Sequence, residues 1–380
     1  MIEYLKKINT YKILTYFLIF LTSLNYIFFT HRFFQRENGY ILGDWLINYE
    51  GGFSRRGFLG ELILYLKSFI NLDIINLTFV IVIIFYLIFI YLLVKLISRS
   101  NINFLIALFI FSPTTFLFNF YDPLAIGRKE FLFLLFIVFY LLYNQNKFFI
   151  YIGTTFAVLI TLTHELFTLL TPFLFIAKYL DTKSFKLKTY LSEIVITFFS
   201  SLIFLWIIFS PDPNTVITCN YIKQFGLSDT ACWSINDTGH KPLQIIGYWS
   251  NSFYSKYYSL FLILIFALIF FNLKKNLNLK LVTIIIMMLL SFLPIFLLIL
   301  IVNDWGRYFN IYSFLWLIII ISKNTKQNNY SPNFLKIFTI IFFSLSWYMP
   351  HCCPERHFSV IKFKPAIYYI YERIEYRLNN

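Results

Sequence analysis

The sequence predicts an all-α, polytopic α-helical integral membrane protein, and three observations carry the prediction. Of 380 residues, 59% are hydrophobic and 22% aromatic, only 13% are charged, and the mean hydropathy is +0.70. Soluble domains average about 45–50% apolar and about 25% charged, and a chain of this size has too little interior to hide the excess. Disorder is excluded too, because disordered chains lack the aromatic and branched residues that dominate here. Second, the apolar excess falls in blocks close to the roughly 20 residues that span a bilayer. Third, the basic residues between blocks are unevenly divided between alternate connections, as membrane topology requires.

About eleven transmembrane helices (ten to twelve) follow, within one membrane domain over 1–380. They are expected at 13–30, 75–97, 102–120, 131–146, 148–164, 166–180, 190–209, 254–272, 281–302, 308–322 and 334–349. The start Met1-Ile-Glu-Tyr-Leu-Lys-Lys is basic, but no small-residue cleavage site follows the first apolar run. That run reads as a retained anchor.

With the N-terminus in the cytoplasm, sixteen of the 32 basic residues fall inside, among them Lys6, Lys7, Lys147, Lys186, Lys274 and Lys326. Only Glu3, Asp181 and Glu193 oppose them, so the inner surplus of +13 is nearly the whole formal charge of +14. The positive charge is thus a topology signal, and nucleic acid is not an expected partner. All five His, all four Cys and nine of ten Arg then fall outside, the exception being Arg99. Exported cysteines suit an oxidising compartment. Cys219 and Cys232 could bridge each other or Cys352 and Cys353, a choice sequence leaves open. Outer arginines offer a fork that matches phosphate, where lysine is a point charge; the competing role is simple pairing with outer acids.

The outer stretch 31–73 is expected to be a Gly/Arg-rich re-entrant loop. It holds six of the twelve Gly, with Gly51, Gly52 and Gly57 bracketing Arg55 and Arg56, and a helix expected to begin near Gly57. Glycine allows close backbone approach, and amides at a helix start beside two guanidiniums suit a phosphate or pyrophosphate. Asp44 and Glu50 supply carboxylates to the same region. The alternative is an interfacial segment whose arginines meet lipid headgroups.

Two further turns share a pattern of acid, short gap and Gly-Arg: Asp122 to Arg128-Lys129-Glu130, and Asn303-Asp304-Trp305-Gly306-Arg307. Charges at the start of a span are costly unless they meet water, headgroups or a buried site. Salt bridges tying each turn are the simpler account. Thr163-His164-Glu165-Leu166 lies between two short spans, at the tip of a tight hairpin or within one bent helix. His titrates near neutral pH and is a reasonable proton acceptor, although the pair could merely cap a helix. As a metal site it has too few ligands. The outer loop 210–253, with Asp212, Asp229, His240, Trp233 and Trp249, suits a sugar-binding lid or a folded cap. The tail 350–380 is expected to be an outer amphipathic segment along the membrane.

No phosphate-binding loop, dinucleotide fingerprint or nucleophile elbow is present. Chemistry on the outer face, with a substrate bringing its own activated phosphate, is therefore expected.

In architecture, over its whole length, the chain resembles bacterial surface-polysaccharide polymerases of the Wzy type and the related O-antigen ligases. More loosely, it resembles GT-C-like polytopic glycosyltransferases that use polyprenyl-linked sugars. The shared features are the length, ten to twelve spans, a large outer loop, outer arginines and a composition heavy in Phe, Ile, Tyr, Lys and Asn. The resemblance implies polymerisation of lipid-linked oligosaccharide repeat units (O-antigen or capsule) by glycosyl transfer from undecaprenyl pyrophosphate, on the periplasmic face of the inner membrane. Arg55, Arg56, Arg128 and Arg307 would hold the pyrophosphate, and His164 or Glu165 would deprotonate the acceptor. Asp44 and Glu50 are further catalytic candidates, with Asp122, Lys129 and Asp304 secondary. Expected partners are the lipid-linked oligosaccharide, the bilayer and a chain-length regulator. No cofactor is expected. A metal-dependent transferase using a polyprenyl-monophosphate sugar is the alternative, with Asp44, Glu50 or Asp122 binding the cation. A precursor flippase or transporter is the second alternative.

Overall fold

The computed structural model describes residues 9–37, 39–146, 148–238, 252–301, 304–325 and 333–349. Among these, every regular element is helical. In order they are α1 (Thr10–Arg32), a π-helical turn (Phe33–Glu37), α2 (Gly39–Trp45), α3 (Gly57–Lys67), α4 (Ile74–Ser98), α5 (Phe104–Ile110) and α6 (Phe118–Tyr121). There follow a short 3-10 turn (Pro123–Ala125), α7 (Phe131–Tyr143), α8 (Phe149–Thr163), a 3-10 helix (Glu165–Leu170), α9 (Pro172–Thr182), another short 3-10 turn (Leu187–Tyr190), α10 (Leu191–Phe209), α11 (Thr215–Lys223) and α12 (Asp229–Thr238). The last four are α13 (Ser252–Leu277), α14 (Leu281–Ile301), α15 (Trp305–Lys323) and α16 (Phe334–Leu345). Among the described residues, five stretches are long and apolar enough to cross a membrane: Thr10–Gln35, Ile74–Ser98, Leu187–Phe209, Tyr258–Leu277 and Leu281–Ile299. The apolar helices α7, α8 and α16 are shorter. The chain is an all-α, multi-pass membrane protein.

Two expected spans are not continuous α-helices: 166–180 is the 3-10 helix followed from Pro172 by α9, and the second is 102–120. Over 102–120, α5 has seven residues, about 10 Å of rise, and the chain then turns at 111–117 before the single turn of α6. Pro113 has no N–H to donate, and Thr115 Oγ1 turns back to the carbonyls of Phe109, Ile110 and Ser112 at 2.8–3.1 Å. Ser112, Thr114 and Thr115 are fully or almost fully buried. Irregular backbone is tolerated at membrane depth only when protein covers it in this way.

The chain divides into two compact units. The first comprises 1–25, 94–126 and 245–380, and α15 is its buried centre, with Tyr312, Leu315 and Trp316 wholly enclosed. Trp316 Nε1 donates to Ser291 Oγ at 3.1 Å, and Asn310 Nδ2 donates to the Thr114 and Thr115 carbonyls. The broken segment is thus held through carbonyls that its turn leaves outside any helix. Asn9, Asn101 and Asn324 form one hydrogen-bonded clasp and Asn103, Asn276 and Asn272 another.

The second unit comprises 26–93 and 127–244. Helix α7 is its core, with Phe131 through Val138 all buried. The 164–165 segment is the tip of a tight hairpin, as contacts along α7 show. The His164 ring lies 5.2 Å from Phe133, the Phe167 ring 4.9 Å from Phe136, and Tyr140 reaches the Leu174 carbonyl. Positions later than the tip therefore meet positions farther along α7, so the chain reverses at His164. At the hairpin's other end Tyr140 donates to Glu193, beside Lys178.

The stretch 31–73 is more regular than a loop, since α2 and α3 lie within it. Helix α2 packs on α12, and Gly43 makes this possible, because a Cβ there would strike the Ala231 carbonyl. The disulfide is Cys219–Cys232, joining α11 to α12. Cys352, Cys353, the tail 350–380, His240 and Trp249 lie outside the described residues.

Candidate functional site

Four chain turns of the second unit bring their charges together. Helix α3 begins at Gly57, and Arg56 directly before it has φ 68°. This left-handed conformation is uncommon for a residue with a Cβ and costs about 1–3 kcal/mol. Lys129 holds it in place: its Nζ donates to the Arg56 carbonyl at 3.0 Å, and the side chain is fully buried. Thus the turn before α7 fixes the backbone of the arginine pair.

The Arg56 guanidinium forks onto Glu165, from Nε at 3.1 Å to Oε2 and from Nη2 at 2.9 Å to Oε1. Its Nη1 lies 3.9 Å from Asp44 at the end of α2. Arg55 Nη1 is 3.8 Å from the same Glu165. The His164 ring sits between two carboxylates, with Nε2 3.6 Å from Glu130 Oε1 and Nδ1 3.8 Å from Glu165 Oε2. Nδ1 makes no hydrogen bond. Asp44, Glu130, His164 and Glu165 are all buried, whereas the side chains of Arg55 and Arg56 keep 27% and 23% exposure. The guanidiniums are therefore the accessible part of a buried polar cluster.

Local structure explains the placement. Glu130 and Glu165 each open a helix, where the N-terminal dipole favours a carboxylate. His164 follows α8 in extended conformation (φ −159°, ψ 106°), which ends the helix and turns its ring toward α7. These groups occupy the turns between apolar helices rather than the spans themselves. Burial alone would raise the Glu165 carboxyl, but Arg56, and after it His164 and Arg55, draw it well below the ordinary range. Burial and Arg56 lower the His164 imidazole against the pull of Glu130 and Glu165, so the neutral ring prevails at pH 7. Burial likewise pushes the Lys129 ammonium down to about 8, with Asp44 raising it and Arg56 lowering it further.

Of the expected site residues, the structure brings together Asp44, Arg55, Arg56, Lys129, His164 and Glu165. Arg128, next to Lys129, places its guanidinium 4.8 Å over the Tyr40 ring. Glu50 is exposed, and its backbone N–H donates to Asn48, so it is not one of the clustered carboxylates. Asp122, Asp304 and Arg307 belong to the first unit. There Arg307 pairs with Asp304 at 2.8 Å, the salt-bridged turn that was the simpler account of this motif. Glu130 is the member of the cluster that sequence reasoning passed over as a site candidate, although three consecutive charges at 128–130 marked the turn. No three carboxylate, imidazole or thiol groups converge as a metal cage among the described residues; the clustered carboxylates face guanidinium, ammonium and imidazole groups. No protein-family model, curated protein or solved structure matches the chain.

Proposed function

We propose that this cluster is the active site of a membrane glycosyltransferase that polymerises lipid-linked oligosaccharide units, such as O-antigen or capsule repeats, from undecaprenyl pyrophosphate. In the same proposal, the protein lies in the bacterial inner membrane with its N-terminus cytoplasmic and this cluster on the periplasmic face. One observation supports the reading above others: two partly exposed guanidiniums stand beside a buried neutral imidazole whose Nδ1 has no hydrogen bond. That is the pairing needed to receive a departing pyrophosphate and an acceptor proton in one step.

In the proposed reaction an acceptor sugar hydroxyl attacks the anomeric carbon of the donor. The new C–O bond forms as the bond to the pyrophosphate oxygen breaks, and the hydroxyl proton passes to His164 Nδ1. Arg55, Arg56 and Lys129 counter the charge gathering on the pyrophosphate, preorganised by Glu165 and Asp44. Glu165, held ionised by Arg56, acts as their counter-ion and leaves proton transfer to His164. Glu130 orients the imidazole from its Nε2 side. Asp44, 3.9 Å from Arg56, is a second counter-ion in this reading.

The test is elongation in proteoliposomes given a lipid-pyrophosphate oligosaccharide. General-base removal costs about 10²–10⁴-fold in rate, so His164→Gln should fall by at least 100-fold while still folding. Full elongation by His164→Gln would refute the proposal.

A further inference from the structure

We infer that the cluster has a membrane-side mouth, formed by Phe53, Trp206 and Arg55, that seats an anionic lipid drawn from the bilayer. The inference deepens the transferase reading by assigning where the lipid part of its substrate lies.

The loop 49–55 is pinned over one end of α10. Asn214, just beyond that helix, donates its N–H to the Gly51 carbonyl at 2.8 Å, and Glu61 Oε2 accepts the Tyr49 N–H at 3.1 Å. Gly52, at φ 103° with open space around it, lets the loop turn between these anchors. The turn delivers the Phe53 ring to 4.0 Å from Trp206, with Tyr49 stacked behind Phe53 at 5.4 Å. Trp206 remains 51% exposed although it has this partner. It continues an uncovered apolar strip of α10 that includes Leu202, Leu205 and Phe209, and this helix is the least buried of the five spanning stretches.

Arg55 lies two residues beyond Phe53, in the turn closed by the Gly57 N–H donating to the Ser54 carbonyl at 3.1 Å. Its guanidinium is partly exposed and stands at the edge of the buried cluster. The strip therefore changes from membrane-facing hydrocarbon through aromatic rings to guanidinium within one short loop. A hydrocarbon chain followed by a phosphate has the same order. A zwitterionic lipid brings an ammonium that Arg55 repels, and a free phosphate has no use for Phe53 and Trp206. The charge and the apolar strip together select an anionic lipid.

The probe is brominated phosphatidylglycerol against brominated phosphatidylcholine, in proteoliposomes of the full chain. Quenching of Trp206 is read as the difference between the parent and Trp206→Phe. The expected result is about twofold more quenching by the glycerol lipid, lost in Arg55→Gln and kept in Arg55→Lys. Equal quenching by both lipids would overturn the inference, leaving Trp206 as an interfacial anchor. So would a preference that survives in Arg55→Gln. Soluble pyrophosphate that binds Arg55 without any lipid preference would likewise overturn it, in favour of a water-borne ligand. A lipid preference in a protein that elongates no glycan would support this mouth and refute the polymerase reading, so the two failures are distinguishable.

Discussion

Glu165→Gln tests whether the cluster is the coupled unit that its geometry describes. The substitution keeps the volume and one acceptor for Arg56 but removes the charge that Arg55 and Arg56 share. Breaking a buried ion pair from one side costs about 3–5 kcal/mol, because the partner is left uncompensated. Here Arg55 and Arg56 keep about a quarter of their side-chain exposure, and the glutamine carbonyl still accepts one hydrogen bond. The expected loss is therefore about 2–3 kcal/mol, at or below the lower end of that range. At roughly 2–4 °C per kcal/mol for a cooperative unit of this size, the melting temperature falls by roughly 4–12 °C. Thermal unfolding of purified protein in detergent, with Glu50→Gln as the exposed control, gives the measurement. The double variant Arg56→Gln with Glu165→Gln should be less destabilised than the sum of the single changes by at least about 0.5 kcal/mol. An unchanged melting temperature in Glu165→Gln, or a strictly additive cycle, would refute the coupling.

Three other outcomes follow from the same geometry. Lys129 is charged below and neutral above a pKa of about 8, so the KM for a lipid-pyrophosphate donor should rise as pH climbs from 7 to 9. Lys129→Arg, which stays charged, should flatten that profile, and a parent KM constant over the range would show that the ammonium is not used. Gly43→Ala drives a Cβ into the Ala231 carbonyl, and overpacking of this kind costs about 1–3 kcal/mol. A lowered melting temperature checks it, whereas Gly153→Ala meets only the Phe149 ring edge and should cost less. Cys219→Ser opens a link between residues 13 apart in sequence, for which chain entropy suggests a loss of roughly 3 kcal/mol; insensitivity of the parent's unfolding to reductant would contradict it.

The parts of the fold legible in the sequence are those that local pattern decides. Apolar runs of near-bilayer length located α1, α4, α10, α13 and α14 to within a few residues, because hydropathy acts over a window no longer than the helix itself. The start of α3 at Gly57 and the reversal at His164 also show locally, as a glycine after two charges and a polar pair between short apolar runs. The break at 111–117 does not. Its segment is as apolar on average as a span, and what bends it is the placement of Pro113 and the back-bonding of Thr115, covered by Asn310 some 195 residues away.

The site was half legible for a related reason. A charge in this chain must find a partner or water, so an apolar composition foretells that the few charges in outer turns will gather. It does not say which will meet. The Arg56 guanidinium pairs with Glu165 across 109 residues and its backbone carbonyl accepts from Lys129 across 73, while Arg307 pairs with an acid only three residues away. Two Gly-Arg turns that look alike thus lead to different ends, one a local salt bridge and one an arm of the cluster. Partner choice also divides the chemistry. Because Arg56 takes both oxygens of Glu165, that carboxylate is spent as a counter-ion; in the proposed reaction this leaves the neighbouring His164, whose Nε2 faces Glu130 and whose Nδ1 makes no hydrogen bond, to accept the proton. Sequence placed the two residues side by side; only the distant arginine makes their roles different.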